Sequence, residues 1–155
     1  MKNLSNIIAS TAAHAVAQDA APWVPLSAGK AFQPLQFFGD DRGFVELLRL
    51  EPGCVMPLHR HTGEVHVFNV EGSRRLDSGE SVGPGGYVYE PAGNVDSWEV
   101  VGDSTLVALT IVHGAVEYLD AGGTVIERFT ANTLRDIYLR YCLGNGIKAL
   151  DLLCD

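Results

Sequence analysis

An all-β barrel or sandwich followed by a C-terminal helix is the fold class this sequence predicts, on three observations. Short segments rich in Val, Ile, Leu, Phe and Tyr recur at near-regular spacing. Turns built from Gly, Asp and Asn separate them, the pattern of many short strands packed sheet on sheet. The apolar period changes only near the end, where Leu134, Ile137, Tyr138 and Tyr141 fall at i, i+3, i+4 and i+7, one stripe of a helix.

The elements follow in order. Residues 1–20 are Ala-rich and weakly patterned, and read as an N-terminal arm, disordered or helical. Lys2 and Ala15-Val16-Ala17 imitate the ends of a signal peptide, but Asn3, Ser5, Asn6, Ser10, Thr11 and His14 interrupt the apolar centre that such a peptide needs. Pro22 and Pro25 favour an extended approach to the packed body. Phe32–Phe38 and Phe44–Leu50 read as strands joined by Gly39-Asp40-Asp41-Arg42-Gly43, residues that tolerate positive φ or bond their own backbone. The stretch from Gly53 to Gly72 is a strand segment bounded by turns. Ser73–Ser78 reads as a short return strand paired through the Glu71-Gly72-Ser73 turn, and Gly79–Gly86 as a loop. Tyr87–Glu90, Val95–Val101 and Ser104–Val112 are further strands. Ala115–Leu119 and Thr124–Phe129 form a hairpin across Asp120-Ala121-Gly122-Gly123. Thr130, Asn132 or Thr133 can cap the helix and Gly144 stops it; Ile147–Leu153 suggests another helical turn or two. The expected organisation is thus an arm over 1–20, a barrel over 21–130 and a helical tail over 131–155.

Composition narrows the functional classes. Eleven basic against nineteen acidic residues give a formal net charge of −8, which disfavours nucleic-acid and anionic-membrane partners, since both require basic patches. No apolar run reaches the length of a membrane span. Cys54, Cys142 and Cys154 are odd in number and form no Cys-x-x-Cys, so a reducing, cytoplasmic setting fits best.

Chemistry concentrates in Gly53–Gly72, which holds three of the five histidines. His59 and His61 are two apart, and on a strand residues i and i+2 share a face. Two imidazoles on one face of one strand are half a metal site. The placement of His66 depends on the backbone: on an unbroken strand it faces away, whereas a bulge at Thr62-Gly63-Glu64 would turn it inward. Asp96 is a candidate carboxylate ligand, or it bonds locally to Ser97 or Asn94 as Asx residues do. His113 ends a strand and is an alternative ligand or acid–base group. Glu90 is placed to orient a ligand histidine through its second nitrogen. Tyr89, Trp98, Phe68 and Leu48 are candidates for the pocket wall. Arg75, if inward, would clamp a carboxylate or enolate, and if outward is a solvated edge charge.

The spacing of these residues resembles the cupin superfamily. Gly53, five residues, His59-x-His61, then Gly72 match the first cupin motif; Gly85, Pro91, Gly93 and Asp96 fall on the second. The body is similar to 2,4′-dihydroxyacetophenone dioxygenases and, more loosely, to acetylacetone-cleaving dioxygenases. That likeness is carried by Ala21-Pro22-Trp23-Val24-Pro25-Leu26, Glu46-Leu47-Leu48-Arg49, His59-Arg60-His61-Thr62-Gly63 and Tyr87-Val88-Tyr89-Glu90-Pro91-Ala92-Gly93. It implies a single RmlC-like jelly-roll barrel holding one divalent metal per chain, Fe(II) first, with Mn(II), Zn(II) or Ni(II) as alternatives. It also implies O2-dependent cleavage of a C–C bond in a small hydroxyketone or diketone, and a homodimer or homotetramer. Family members hold iron with three histidines. Two correspond to His59 and His61, and the third falls where this chain has Asp96. Two other classes stand beside the dioxygenase: a Zn or Mn cupin isomerase or hydrolase, and a non-catalytic sensor similar to the cupin domain of zinc anti-sigma factors.

Overall fold

The computed structural model describes residues 13–155, so residues 1–12 of the expected arm lie outside the described residues. Among the described residues, thirteen strands and one helix follow in chain order: β1 (Val24–Ser27), β2 (Lys30–Phe38), β3 (Gly43–Leu50), β4 (Val55–His61), β5 (Val65–Glu71), β6 (Ser73–Leu76), β7 (Ser81–Val82), β8 (Tyr87–Glu90), β9 (Val95–Val101), β10 (Leu106–His113), β11 (Val116–Leu119), β12 (Val125–Phe129), α1 (Ala131–Gly144) and β13 (Leu153–Cys154).

They form two sheets. One has the order β1-β2-β3-β10-β5-β8, with β13 added on β2; the other runs β12-β11-β4-β9-β6-β7. From β3 to β11 the chain changes sheet at almost every turn, which lays one sheet over the other as in a jelly roll. Each strand therefore has an inner and an outer face. On β3, Phe44, Glu46, Leu48 and Leu50 are buried while Val45, Leu47 and Arg49 are only partly so. On β10 the inner set is Leu106, Ala108, Thr110 and Val112. Phe32, Leu50, Val65 and Leu106 are fully buried and anchor the apolar core between the sheets.

The short return strand departs from expectation. β6 does not pair with β5; it pairs with β9 and β7 in the opposite sheet. The crossing occurs at Gly72, whose φ is +70°, and a Cβ there would lie 2.5 Å from the Thr105 carbonyl oxygen. Only glycine combines that dihedral with that approach.

The helix is placed where the stripe puts it. Thr130 caps it: its hydroxyl accepts from the Thr133 amide at 3.3 Å, and Thr133 Oγ1 accepts from the Thr130 amide at 2.7 Å. Leu134, Tyr138, Leu139 and Cys142 are buried, and α1 packs on β1 and β2. The expected second helical segment over Ile147–Leu153 is absent. The tail runs back extended, the Leu150 amide donates to the Tyr138 hydroxyl at 2.7 Å, and β13 adds in parallel to β2. Pairing with the open edge of β2 satisfies backbone groups that a short helical turn would leave unpaired.

Candidate metal centre

The bulge between Met56 and His59 in β4 resets the strand's parity, so that Met56, His59 and His61 all face the interior. The two imidazole rings lie 4.9 Å apart at 86°. His59 Nδ1 lies 2.8 Å from the Pro57 carbonyl oxygen. A carbonyl only accepts, so Nδ1 carries the proton and Nε2 is bare. Holding one ring nitrogen in this way to present the other is how metal-binding histidines are oriented.

β8 alternates Tyr87 and Tyr89 outward with Val88 and Glu90 inward. Glu90 Oε2 lies 3.6 Å from His61 Nε2, and Asn94 donates to Glu90 Oε1 at 3.1 Å. One donor atom from each of His59, His61 and Glu90 falls within 4.8 Å of the others, and all three residues are buried. Ligands about 2.1 Å from a tetrahedral ion sit about 3.4 Å from each other, close to the His61–Glu90 separation. His61 Nδ1 is buried with no hydrogen-bond partner among the described residues. Burial, with the neighbouring His59 and Arg74, pulls His61 down to about 3; burial also lowers His59. Both rings are neutral at ordinary pH, the state that binds metal. Two neutral imidazoles and one carboxylate, buried and convergent, are able to hold a divalent ion.

The third group is therefore Glu90, where the sequence points to Asp96. Asp96 is the cross-strand partner of His59, yet its Oδ1 accepts from the Ser97 amide at 2.8 Å and the Asp77 amide at 3.3 Å. The short side chain is turned onto neighbouring backbone, the local alternative open to an Asx residue. His66 and His113 are not at this centre either. On β5 the inner positions are Val65, Val67 and Asn69, and on β10 the inner series ends at Val112, so both histidines face out. The Thr62–Glu64 turn joins two strands without bringing His66 inward.

The centre opens into a cavity of about 300 Å³, with Phe44, Leu48, Trp98, Ala108, Tyr118 and Phe129 among its apolar walls. Trp98 and Leu48 take the wall positions expected of them, whereas Tyr89 and Phe68 are exposed on the outside. Arg74 and Glu46 are among the charged residues that also line the cavity, and neither stands out in the sequence. Arg74 is 1% exposed, its guanidinium lies 4.8 Å over the Trp98 ring, and its Nε and one terminal nitrogen have no hydrogen-bond partner among the described residues. Arg75 is the outward neighbour and pairs with Glu99 on the surface. Arg75 is thus the solvated edge charge, and the inward arginine is the residue before it because the crossing at Gly72 sets where the alternation restarts. An Arg75→Ala variant is expected to change stability by less than about 1 kcal/mol, as for other exposed pairs, and to leave metal affinity unchanged in a dialysis titration.

Glu46 is buried, 8% exposed, and burial alone pushes its carboxyl up to about 8. Inner-face parity with Phe44, Leu48 and Leu50 is the signal in the sequence that marks it. The raised value makes a testable sign. Between pH 4.5 and about 8 the folded chain holds a proton that the unfolded chain has released, so stability falls as pH rises through that window and levels off above it. Metal-free Glu46→Gln lacks this loss. Its stability relative to the parent is expected to rise by roughly 1–3 kcal/mol between about pH 5 and 8, read by urea unfolding at each pH. A constant difference would contradict the buried, protonated carboxyl.

A two-sheet barrel with two histidines of one strand and a glutamate of another converging inside it defines an RmlC-like cupin. The chain belongs to the ChrR cupin-like domain family, whose model matches residues 11–117. It is similar to an RmlC-like cupin protein from Ralstonia eutropha JMP134, at 30% identity over 85% of this chain and 88% of that one, with a TM-score of 0.80. A protein of unknown function with a cupin-like fold from the same organism matches at 21% identity over 92% and 96%, TM-score 0.79. An acetylacetone dioxygenase from Acinetobacter johnsonii shares the fold at 14% identity over 90% and 99%, TM-score 0.72. No curated protein matches the chain. Among the described residues no helix is long and apolar enough to cross a membrane.

Proposed function

We propose that this protein is a metal-dependent dioxygenase that cleaves a C–C bond in a small hydroxyketone or diketone, with Fe(II) held by His59, His61 and Glu90. The observation that carries this reading is Arg74, a buried guanidinium with unpaired N–H groups lining the same apolar cavity as the three donors. A buried cation with free donors is costly unless an anion completes it. A substrate that becomes an enolate supplies that anion, and the fork of an arginine suits paired oxygens.

A divalent ion held by His59, His61 and Glu90 would supply Lewis acidity that favours the enolate of a bound substrate. The residues do the rest. Arg74 binds the enolate oxygen and holds the substrate against the His59–His61–Glu90 face. Glu46, protonated at neutral pH, donates a hydrogen bond to a substrate oxygen and serves as the local proton store. The aromatic and aliphatic walls exclude water and accept the hydrocarbon part of the substrate. The balance closes without an external reductant: the C–C bond breaks, O2 takes its electrons, and each product carries one atom of O2.

The likeness to an acetylacetone dioxygenase supports this reading at the level of the fold. Oxygen uptake by the Fe(II)-loaded protein with aryl hydroxyketones and 1,3-diketones tests it, with the expected result one O2 consumed per molecule cleaved. Membership of the ChrR cupin-like family supports a second reading, a metal-binding sensor without turnover. Tight metal binding with no uptake for any member of the panel would select it.

A further inference from the structure

Outside the barrel a second set of donors converges, independent of the interior centre. Glu64, His66 and His113 each offer one ligand atom, and these lie within 4.8 Å of one another. They come from the β4–β5 turn, the outer face of β5 and the end of β10. Glycine brings these elements together: a Cβ on Gly63 would sit 2.4 Å from the His113 carbonyl oxygen, and the His113 amide donates to the Glu64 carbonyl at 3.0 Å. β5 and β10 are paired, with His66 opposite Ile111.

The side chains are also held from behind. His66 Nδ1 lies 2.7 Å from the Tyr87 hydroxyl, which leaves Nε2 to face Glu64 Oε1 at 3.5 Å. That separation is again close to the edge of a tetrahedral site, about 3.4 Å. His113 is stacked on Phe38, with ring centroids 5.9 Å apart at 1°. The Tyr89 hydroxyl lies 3.5 Å from Glu64 Oε2. A ligand imidazole with its far nitrogen hydrogen-bonded and its ring packed is the arrangement that orients donors before an ion arrives. These contacts distinguish the cluster from scattered surface charges.

We propose that Glu64, His66 and His113 form an external site for a borderline divalent cation, Zn(II) in the first instance. Two imidazoles and one carboxylate are a zinc donor set, and the surface position leaves the fourth place to water or an incoming ligand. Tyr87 positions His66 by accepting the proton of Nδ1 when Nε2 ligates.

The test is metal stoichiometry on the tag-free full chain, by equilibrium dialysis against Zn(II) with elemental analysis, and with Co(II) as a spectroscopic probe. The parent chain is expected to bind one ion more than the interior centre accounts for. His113→Ala and the isosteric Glu64→Gln are each expected to lose that ion while keeping the interior one, and Tyr87→Phe to weaken it at least about tenfold. His59→Ala with His61→Ala is expected to lose the interior ion and keep the external one, so failure of either site is seen separately. A parent chain that saturates with the interior ion alone would overturn the proposal, as would His113→Ala and Glu64→Gln chains that bind as much metal as the parent.

Discussion

Replacing His61 with alanine is expected to lower Fe(II) and Zn(II) affinity at the interior centre by more than about 100-fold, beyond the effect of losing an outer partner of a ligand, while leaving the barrel folded. The ring is buried and its Nδ1 has no partner among the described residues, so its removal breaks no hydrogen-bond network. The Glu90 carboxylate, 3.6 Å from His61 Nε2, keeps its bond from Asn94. Burial has already removed the proton competitor at this ring by taking the imidazole down to about 3, so affinity in the parent should not fall through protonation of His61 as pH drops from about 7 to 5. Glu90 does respond to acid, and burial raises its carboxyl. It must be ionised to ligate, so metal is expected to dissociate on acidification through Glu90, and a Glu90→Gln chain to bind weakly at every pH. Competition titration with a coloured chelator across that range reads both effects. A His61→Ala chain that binds as tightly as the parent would contradict the assignment.

Arg74→Met is expected to separate stability from turnover. The guanidinium is buried, with unpaired nitrogens, and burial lowers its pKa, opposed by Glu90 and Asp96. Exchanging buried ions for apolar side chains of similar volume is often neutral or stabilising, by about 1–4 kcal/mol, provided that no counter-charge is left uncompensated. In the metal-loaded protein the ion takes over the role of counter-charge to Glu90. Turnover should respond in the opposite sense, because the group that binds the enolate is gone. Loss of one donor to a developing anion costs about 10²–10³ in kcat. The expected outcome is a Tm equal to or above that of the parent together with near-complete loss of oxygen uptake. Unchanged uptake would remove Arg74 from the mechanism.

The features legible in the sequence are those set by local rules. His59 and His61 share a face because a strand alternates, and the Leu134–Tyr141 stripe with its threonine cap specifies α1. What escapes depends on where alternation restarts. Arg74 and Arg75 are neighbours, and only the crossing at Gly72, through its close approach to Thr105, decides which is inside. Tyr87-Val88-Tyr89-Glu90 is apolar on both faces until the glutamate, so its pattern does not show that the carboxylate is the buried end. Asp96 stands at the motif position for a ligand, but its side chain reaches the backbone of Ser97 and Asp77 instead. The tail reads as helix because its apolar residues are dense; the free edge of β2 draws it into a strand.

Anomalous diffraction from a crystal loaded with Fe(II) or Zn(II), recorded at the metal edge, tests the central claim most directly. The expected result is a peak inside the barrel, bonded at about 2.0–2.2 Å to His59 Nε2, the His61 ring and the Glu90 carboxylate, with Asp96 still on its amides. A barrel interior without a peak, or an ion there held through Asp96 with Glu90 displaced, would contradict it.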